Sequence, residues 1–373
     1  MTLVSCRTEA LKLAPLVARL RADPRCDLTV CGATVHGRDH VPWAAEVGMS
    51  LDRCVTVSDR EVSPRQLAGL VRKAFGGILS EFRPDLVLLQ GDDTPAMAAA
   101  EVALLQDVPV AHVEAGLRSG VLSTPWPEEG NRREIGRMAT YHFAHSQAGV
   151  ENLLKENQLP TRVFLTGNTG IDRSLRQRRR ILTERVGATV VGLPAGVKYI
   201  LATLHRREGW QGGIATVCEG LRDLLEQDPG LHLVLPVHPD ARVRDQVLRV
   251  LKGHTRVHLP APPSAASFAR LLAGAALVVT DSGTVQQEAP LYGRPLLVAR
   301  DATEHPEIVD YGYGQLVGFD RGMVAVAGAD AMARGPLPPV SLYGDGRAAQ
   351  RIADILLRGR TELPDPEPLV RLG

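Results

Sequence analysis

The 373-residue sequence predicts an α/β chain of two doubly wound, parallel-sheet domains facing a cleft, on three observations. Short apolar runs alternate with segments whose apolar residues recur every three or four positions, the order expected of strand–helix–strand crossovers. The alternation completes one series, pauses at a Gly- and Arg-rich seam, and starts again. At roughly 150 residues per domain, the length leaves room for two or three such bodies.

In the first series the predicted strands are Leu28–Val30, Leu86–Leu89, Pro109–Val113, Tyr141–Ala144 and Arg162–Thr166, with helices over Ser63–Arg83 and Thr94–Gln106. In the second, strands fall at Tyr199–Leu204, Leu231–Pro236, Val257–Leu259, Leu277–Thr280 and Leu296–Val298. Helices over Gly212–Gln227, Ala241–Leu251, Ala265–Ala273 and Ser282–Leu291 separate them. The seam, Gly167–Gly196, opens with GNTGID, continues through RSLRQRRR and closes on the turn-forming GLPAG. It divides an N-terminal Rossmann-like domain, 1–167, from a second one, 168–349. GYGQLVG at Gly312–Gly318 lacks dinucleotide-site glycine spacing and is expected to be a turn.

Composition narrows the partners. Lys+Arg 43 against Asp+Glu 42 leaves a net charge of +1, too little for a global field that coats nucleic acid or an anionic membrane. Aromatic residues, 4% of the chain, are too sparse for a base-stacking platform. No apolar run reaches the length of a membrane span, and the opening carries charges too early for a signal peptide. Five cysteines, Cys6, Cys26, Cys31, Cys54 and Cys218, form no CxxC pair, so reduced thiols in cytoplasm are expected. His142 and His145 have HxxH spacing but no evident third ligand; they are read as structural, and no metal is expected.

Open parallel sheets bind ligands beyond the carboxyl ends of their strands, and unusual polar clusters stand there. VVTDSGTVQQEAP turns from a strand ending at Asp281 directly into a helix. Ser282, Gly283 and Thr284 then offer backbone N–H groups to a diphosphate, and Glu288 a carboxylate to ribose hydroxyls. LATLHRREG and LVLPVHPD put His205, Arg206 and His238 just past two strands, placed to meet a departing phosphate. In the first half, Asp92 and Asp93 follow one strand, Glu114 the next, and Glu128 and Glu129 begin a helix. Carboxylates gathered in one site suit acid–base work on an uncharged sugar. Arg7 and Lys12, at the start of the first helix, are placed to serve phosphates.

Taken in order, RTEALKLAP, GDDT, HVEAGLRSG, PWPEEGNRR, TGNTGID, HRRE, VHPD, DSGTVQQEAP, RDATEHPE, GQLVG and YGDG resemble the non-hydrolysing UDP-N-acetylglucosamine 2-epimerases over nearly the whole chain. The resemblance implies a GT-B fold, a final segment of about 350–373 packing back on the first domain, and a homodimer. It implies interconversion of UDP-GlcNAc and UDP-ManNAc through elimination of UDP to 2-acetamidoglucal and re-addition, without a cofactor. Asp92, Glu114, Glu128 and His205 match the family's catalytic positions. Arg7, Lys12, His238, Ser282, Gly283 and Glu288 match its nucleotide contacts, and Phe268 the aromatic residue packed on uracil.

The chain departs from the family's usual pattern at Gln90 (for His), Thr284 (Gly), Gln287 (Glu) and His305 (Arg). Replacing Arg by His at 305 removes a fixed cation near the expected diphosphate, so its binding is expected to be weaker or to depend on pH. GATVH stands near Gly32 where the family has a GQH stretch tied to allosteric activation. Four alternatives stay open: a related UDP-sugar as substrate, a hydrolysing 2-epimerase, a GT-B glycosyltransferase, and a non-catalytic UDP-sugar-binding protein.

Overall fold

The structure, a computed structural model, describes residues 1–35, 41–58, 62–184, 193–194, 196–360 and 363–372. It divides into two compact units: Met1–Arg173 with Tyr343–Pro368, and Ser174–Leu342 with Leu369–Gly373. Among the described residues no helix is long and apolar enough to cross a membrane.

The first unit runs β1 (Thr2–Val4), α1 (Arg7–Arg21), β2 (Val30–Val35), α2 (Val41–Glu46), β3 (Arg53–Ser58), α3 (Pro64–Phe82) and β4 (Val87–Gln90). It continues through α4 (Thr94–Leu105), β5 (Val110–Ala115), α5 (Glu128–Met138), β6 (Tyr141–Ala144), α6 (Gln147–Lys155) and β7 (Val163–Leu165). The seven strands are parallel, in the order β3-β2-β1-β4-β5-β6-β7. Neighbouring strand residues feed separate cores. Leu3 and Leu89 pack with Phe75, Ala99 and Ile135, whereas Val4 and Leu88 pack with Leu13, Leu16 and Ile352. A sheet covered on both faces explains why its strands read as continuous apolar runs.

Helix α7 (Thr169–Glu184) carries the chain across the unit boundary. It forms where the sequence reading placed the seam: Ile171, Leu175 and Ile181 are buried together with Arg178, while Arg176, Arg179 and Arg180 are exposed. The remainder of the seam, 185–192 and 195, lies outside the described residues, as does His36 of GATVH.

The second unit holds β8 (Lys198–Thr203), α8 (Gly213–Gln227), β9 (Leu231–Val234), α9 (Ala241–Leu251), β10 (Val257–His258), α10 (Ala265–Gly274) and β11 (Leu277–Thr280). It goes on through α11 (Gly283–Glu288), β12 (Leu296–Val298), α12 (Glu307–Asp310), β13 (Gly314–Leu316), α13 (Arg321–Arg334) and β14 (Val340–Ser341). The six-stranded parallel order is β10-β9-β8-β11-β12-β13. Strand β13 corrects the turn expected for GYGQLVG, because its three residues pair with Leu296–Val298 as the sheet's edge. Last come α14 (Ala348–Arg358), which packs its buried Ala349, Ile352 and Ile355 against α1 in the first unit, and β15 (Val370–Arg371), antiparallel to β14.

In each unit the strand order reverses at one place, β1/β4 and β8/β11. Open α/β sheets bind ligands at such points because the connecting loops part there. The loops at these ends carry Ser5–Arg7 and Gly91–Asp93 in the first unit, His205–Arg207 and Asp281–Gly283 in the second.

Candidate active site

The first unit supplies the carboxylates. Pairing of β5 with β6 shifts between Val113 and Ala115, and Glu114 occupies the offset at φ +66°. A left-handed backbone at a non-glycine residue is a strain of order 1 kcal/mol, and a bulge re-aims a side chain. Here it turns the buried Glu114 carboxylate among three donors. Lys12 Nζ and Gln90 Nε2 both donate to Oε2 at 2.5 Å, and Asn168 Nδ2 donates to Oε1 at 2.9 Å. The Gly170 N–H fixes Asn168 through its Oδ1 at 2.7 Å. Gly116, at φ +84°, admits no side chain: a Cβ there would stand 2.1 Å from the Gly149 carbonyl oxygen.

Asp92 leaves β4 through Gly91. Its Oδ2 accepts from Arg132 Nε at 2.5 Å, and its carbonyl accepts from Asn131 Nδ2 at 2.9 Å. Arg132 also lies 3.4 Å from Oε2 of the fully buried Glu129, which accepts the Ser119 N–H at 2.9 Å. Glu128 is the half-buried first residue of α5.

Beside Asp92, Asp93 caps α4 by accepting the Ala96 N–H at 2.7 Å. The Ser5 hydroxyl lies within hydrogen-bond distance of both Asp93 Oδ2 and Glu9 Oε2 and can donate its one hydrogen to either. Burial, and for Glu9 the neighbouring Asp93 charge, pushes both carboxyls above the usual range. Burial likewise pushes up the adjacent Cys6 thiol. Cys6, Glu9 and Asp93 bring three potential metal-ligating atoms within 4.8 Å of one another.

Of the cations expected to serve phosphates, Lys12 is engaged by Glu114. Arg7 forms a two-point pair with Glu46 at 2.6 and 2.8 Å.

The second unit builds its site from backbone and imidazole. Asp281, fully buried at the end of β11, accepts the N–H groups of His205 and Arg206, each at 2.7 Å. Its other oxygen lies 3.1 Å from His205 Nδ1. Burial alone would raise the Asp281 carboxyl; the His205 charge and these hydrogen bonds outweigh it and hold the carboxyl below its ordinary value. The His205 and His238 rings stack with centroids 5.9 Å apart, and burial followed by the His205 charge lowers the His238 imidazole.

Ser282 precedes α11, and Gly283 lies so close to His305 that a Cβ would stand 3.1 Å from Nε2. Thr284 follows, half-buried. Gln287 Nε2 lies 3.4 Å from His305 Nε2, so two of the departures noted in the sequence face each other. Glu288 closes the helix, with Ser174 Oγ donating to its Oε1 at 2.6 Å. Phe268 is half-buried on α10.

Within the first unit the structure thus joins Lys12 to Glu114 and Asp92 to Arg132. Within the second it joins His205 to His238. Sequence reasoning overlooked Arg132, Asn168 and Ser174 and gave Asp281 no role. Arg132 and Asn168 stood inside motifs already singled out, whereas Ser174 carried no signal. His142 and His145 are buried, with the His145 ring stacked on Tyr343 at 5.3 Å.

Comparison with known proteins gives one answer. A family profile described as UDP-N-acetylglucosamine 2-epimerase matches residues 18–357. The chain is 38% identical to UDP-N-acetylglucosamine 2-epimerase of Escherichia coli K12, over 97% of this chain and 99% of the relative. The crystal structure of the Neisseria meningitidis UDP-GlcNAc 2-epimerase bound to UDP-GlcNAc superposes with a TM-score of 0.89 at 30% identity, covering 96% of this chain and 99% of that one. A Methanocaldococcus jannaschii UDP-GlcNAc 2-epimerase, in complex with UDP-GlcNAc and UDP, superposes at 0.81 with 26% identity, covering 95% of this chain and 98% of the other. With two doubly wound sheets, the carboxylates at the β4 and β5 ends, the Asp281–His205 loop pair and this end-to-end similarity, the chain belongs to the UDP-N-acetylglucosamine 2-epimerase family.

Proposed function

We propose that this chain interconverts UDP-GlcNAc and UDP-ManNAc by inverting C2 of the sugar. The observation that carries the reading is the pair of anchored carboxylates on the neighbouring strands β4 and β5: Asp92, just past β4, on Arg132, and Glu114 turned by a bulge onto Lys12, Gln90 and Asn168.

The C2 proton is not adjacent to a carbonyl and is too weakly acidic for direct removal. Stretching the C1–O bond first gives C1 oxocarbenium character and acidifies C2–H. Asp92 takes that proton, the C1–O electron pair leaves on the UDP phosphate, and 2-acetamidoglucal remains. A proton returned to C2 on the opposite face, with a phosphate oxygen adding to C1, completes the inversion. Glu128 is assigned the second proton-transfer role. Glu114 already accepts from three donors, one an ammonium, and is assigned to orienting the sugar.

His205, held by Asp281, and Arg206 meet the leaving phosphate. Ser282, Gly283 and Thr284 cradle the diphosphate with backbone N–H groups. Glu288 accepts the ribose hydroxyls, Phe268 packs on uracil, and His238 stacks behind His205. Arg7 and Lys12 assist the phosphates, Arg7 on releasing Glu46. The reading also carries a cytoplasmic location and a homodimer, the latter checked by light scattering in solution.

Incubation with UDP-GlcNAc alone, followed by NMR, tests the activity. UDP-ManNAc should appear as the new sugar nucleotide. Free ManNAc with UDP would identify a hydrolase, and an unchanged spectrum would count against epimerisation of this sugar.

A further inference from the structure

We propose that Trp210 is a positioning residue for the phosphate-facing imidazole: its indole N–H holds the His205 carbonyl and locks the loop after β8 onto α9. The proposal deepens the assignment of His205 to the leaving phosphate and rests on that reading. All the residues involved belong to the second unit. Three polar groups of His205 are engaged at once. Its N–H donates to Asp281 Oδ2 at 2.7 Å, its ring Nδ1 lies 3.1 Å from Asp281 Oδ1, and its carbonyl accepts from Trp210 Nε1 at 3.2 Å. The side chain keeps 37% exposure, room for Nε2, the nitrogen that Asp281 does not engage, to meet a phosphate.

The N–H and carbonyl of a trans peptide point in opposite directions. In the peptide between His205 and Arg206, Asp281 accepts the N–H at 2.7 Å and Trp210 donates to the carbonyl, so the group is gripped on both edges. Trp210 is itself fixed. It packs against the second unit's core, the Arg242 guanidinium lies 3.7 Å over its ring, and its carbonyl accepts from Gln246 Nε2 at 2.8 Å. Arg242 and Gln246 both stand on α9. Arg242 is paired at two points with Asp240, at 2.6 and 2.9 Å, and the Asp240 N–H donates to His238 Nδ1 at 3.2 Å. The indole therefore ties together the two loops whose imidazoles, His205 and His238, stack. A partly buried indole N–H ordinarily finds an acceptor; here the acceptor belongs to the residue that needs aiming. Negative charge builds on the phosphate as C1–O breaks, so a misaimed His205 weakens a transition-state contact more than a ground-state one, and the loss falls on kcat.

The test compares the parent with Trp210→Phe, His205→Ala and the double variant in the full chain, measuring kcat and KM for UDP-GlcNAc. Phenylalanine keeps a ring against the core and beneath Arg242 and removes the N–H. Trp210→Phe should lower kcat roughly three- to tenfold, the scale of one hydrogen bond, with KM within about twofold of the parent. In the His205→Ala background it should add nothing further. Histidine NMR gives a readout that a packing role would not move selectively. The ring signals of His205 and His238 should shift in Trp210→Phe, while those of another stacked pair in the same unit, His232 and His258, stay in place. Unchanged kcat in Trp210→Phe overturns the proposal. So does an equal loss of kcat in the His205→Ala background, or movement of both histidine pairs. Should His205→Ala itself leave kcat intact, the phosphate assignment falls, and the proposal with it.

Discussion

The two units share one architecture and put different chemistry at its switch point. In the first, side-chain carboxylates cluster: Asp92, Glu114 and the fully buried Glu129 each meet a cation, and Glu9 and Asp93 face each other through Ser5. In the second, the buried Asp281 meets two backbone N–H groups and the His205 imidazole, and the turn that follows it, Ser282–Thr284, is made of small residues. The first arrangement aims side-chain carboxylates with side-chain donors, whereas the second uses one carboxylate to tie down a backbone loop. On the proposed function the first unit would perform the reaction and the second hold the nucleotide, a division that can be broken experimentally.

The largest effect is expected at Asp92. Asp92→Asn should lower kcat about a hundred- to ten-thousandfold, the range of a lost general base, while calorimetry finds UDP affinity within about twofold. A parallel loss of UDP binding would erase the division of labour. Glu129→Gln should act on stability. It leaves the 3%-exposed Arg132 with part of its charge uncompensated, and denaturant unfolding should show a loss of about 3 kcal/mol.

The Glu9–Asp93 pair sets a pH dependence. Their folded-state pKa values are raised, so the unfolded chain gives up these protons first as pH climbs. Stability is therefore full below the ordinary carboxylate range and declines as pH rises toward the raised values. As pH rises above the ordinary carboxylate range, amide exchange in β4 and β5, corrected for its intrinsic rise with pH, should accelerate more than in β8 and β11. Asp93→Asn, which keeps a helix-capping side chain, should flatten that trend. Equal pH response in both units would contradict the contrast. The smallest effect is expected at Gly283→Ala, where a Cβ crowding His305 should weaken UDP binding about fivefold with little change in kcat.

Much of this was legible in the sequence, for reasons that also explain the misses. Buried parallel strands such as β5 and β11 announce themselves as apolar runs, and the residues after them became the site candidates. Strand β3 was missed: most residues of Arg53–Ser58 are partly or fully exposed on a sheet edge, so no apolar run marks them. The strand expected at Leu28–Val30 begins at Val30 and runs to Val35 through Gly32, a residue that masks strand character. Helix α7 hid behind its arginines. The three donors on Glu114 come from three other segments brought to it only by folding, and no spacing rule connects Lys12, Gln90, Glu114 and Asn168. The bulge that aims Glu114 depends on strand register, which one sequence does not display.

The central claim is that the first unit's carboxylates exchange the C2 proton while the sugar is detached from UDP. Incubating the protein with UDP-GlcNAc in D2O and following C2 by NMR tests it most directly. The account predicts UDP-ManNAc carrying deuterium at C2, with incorporation nearly abolished in Asp92→Asn; UDP-ManNAc that retains its original C2 proton would contradict it.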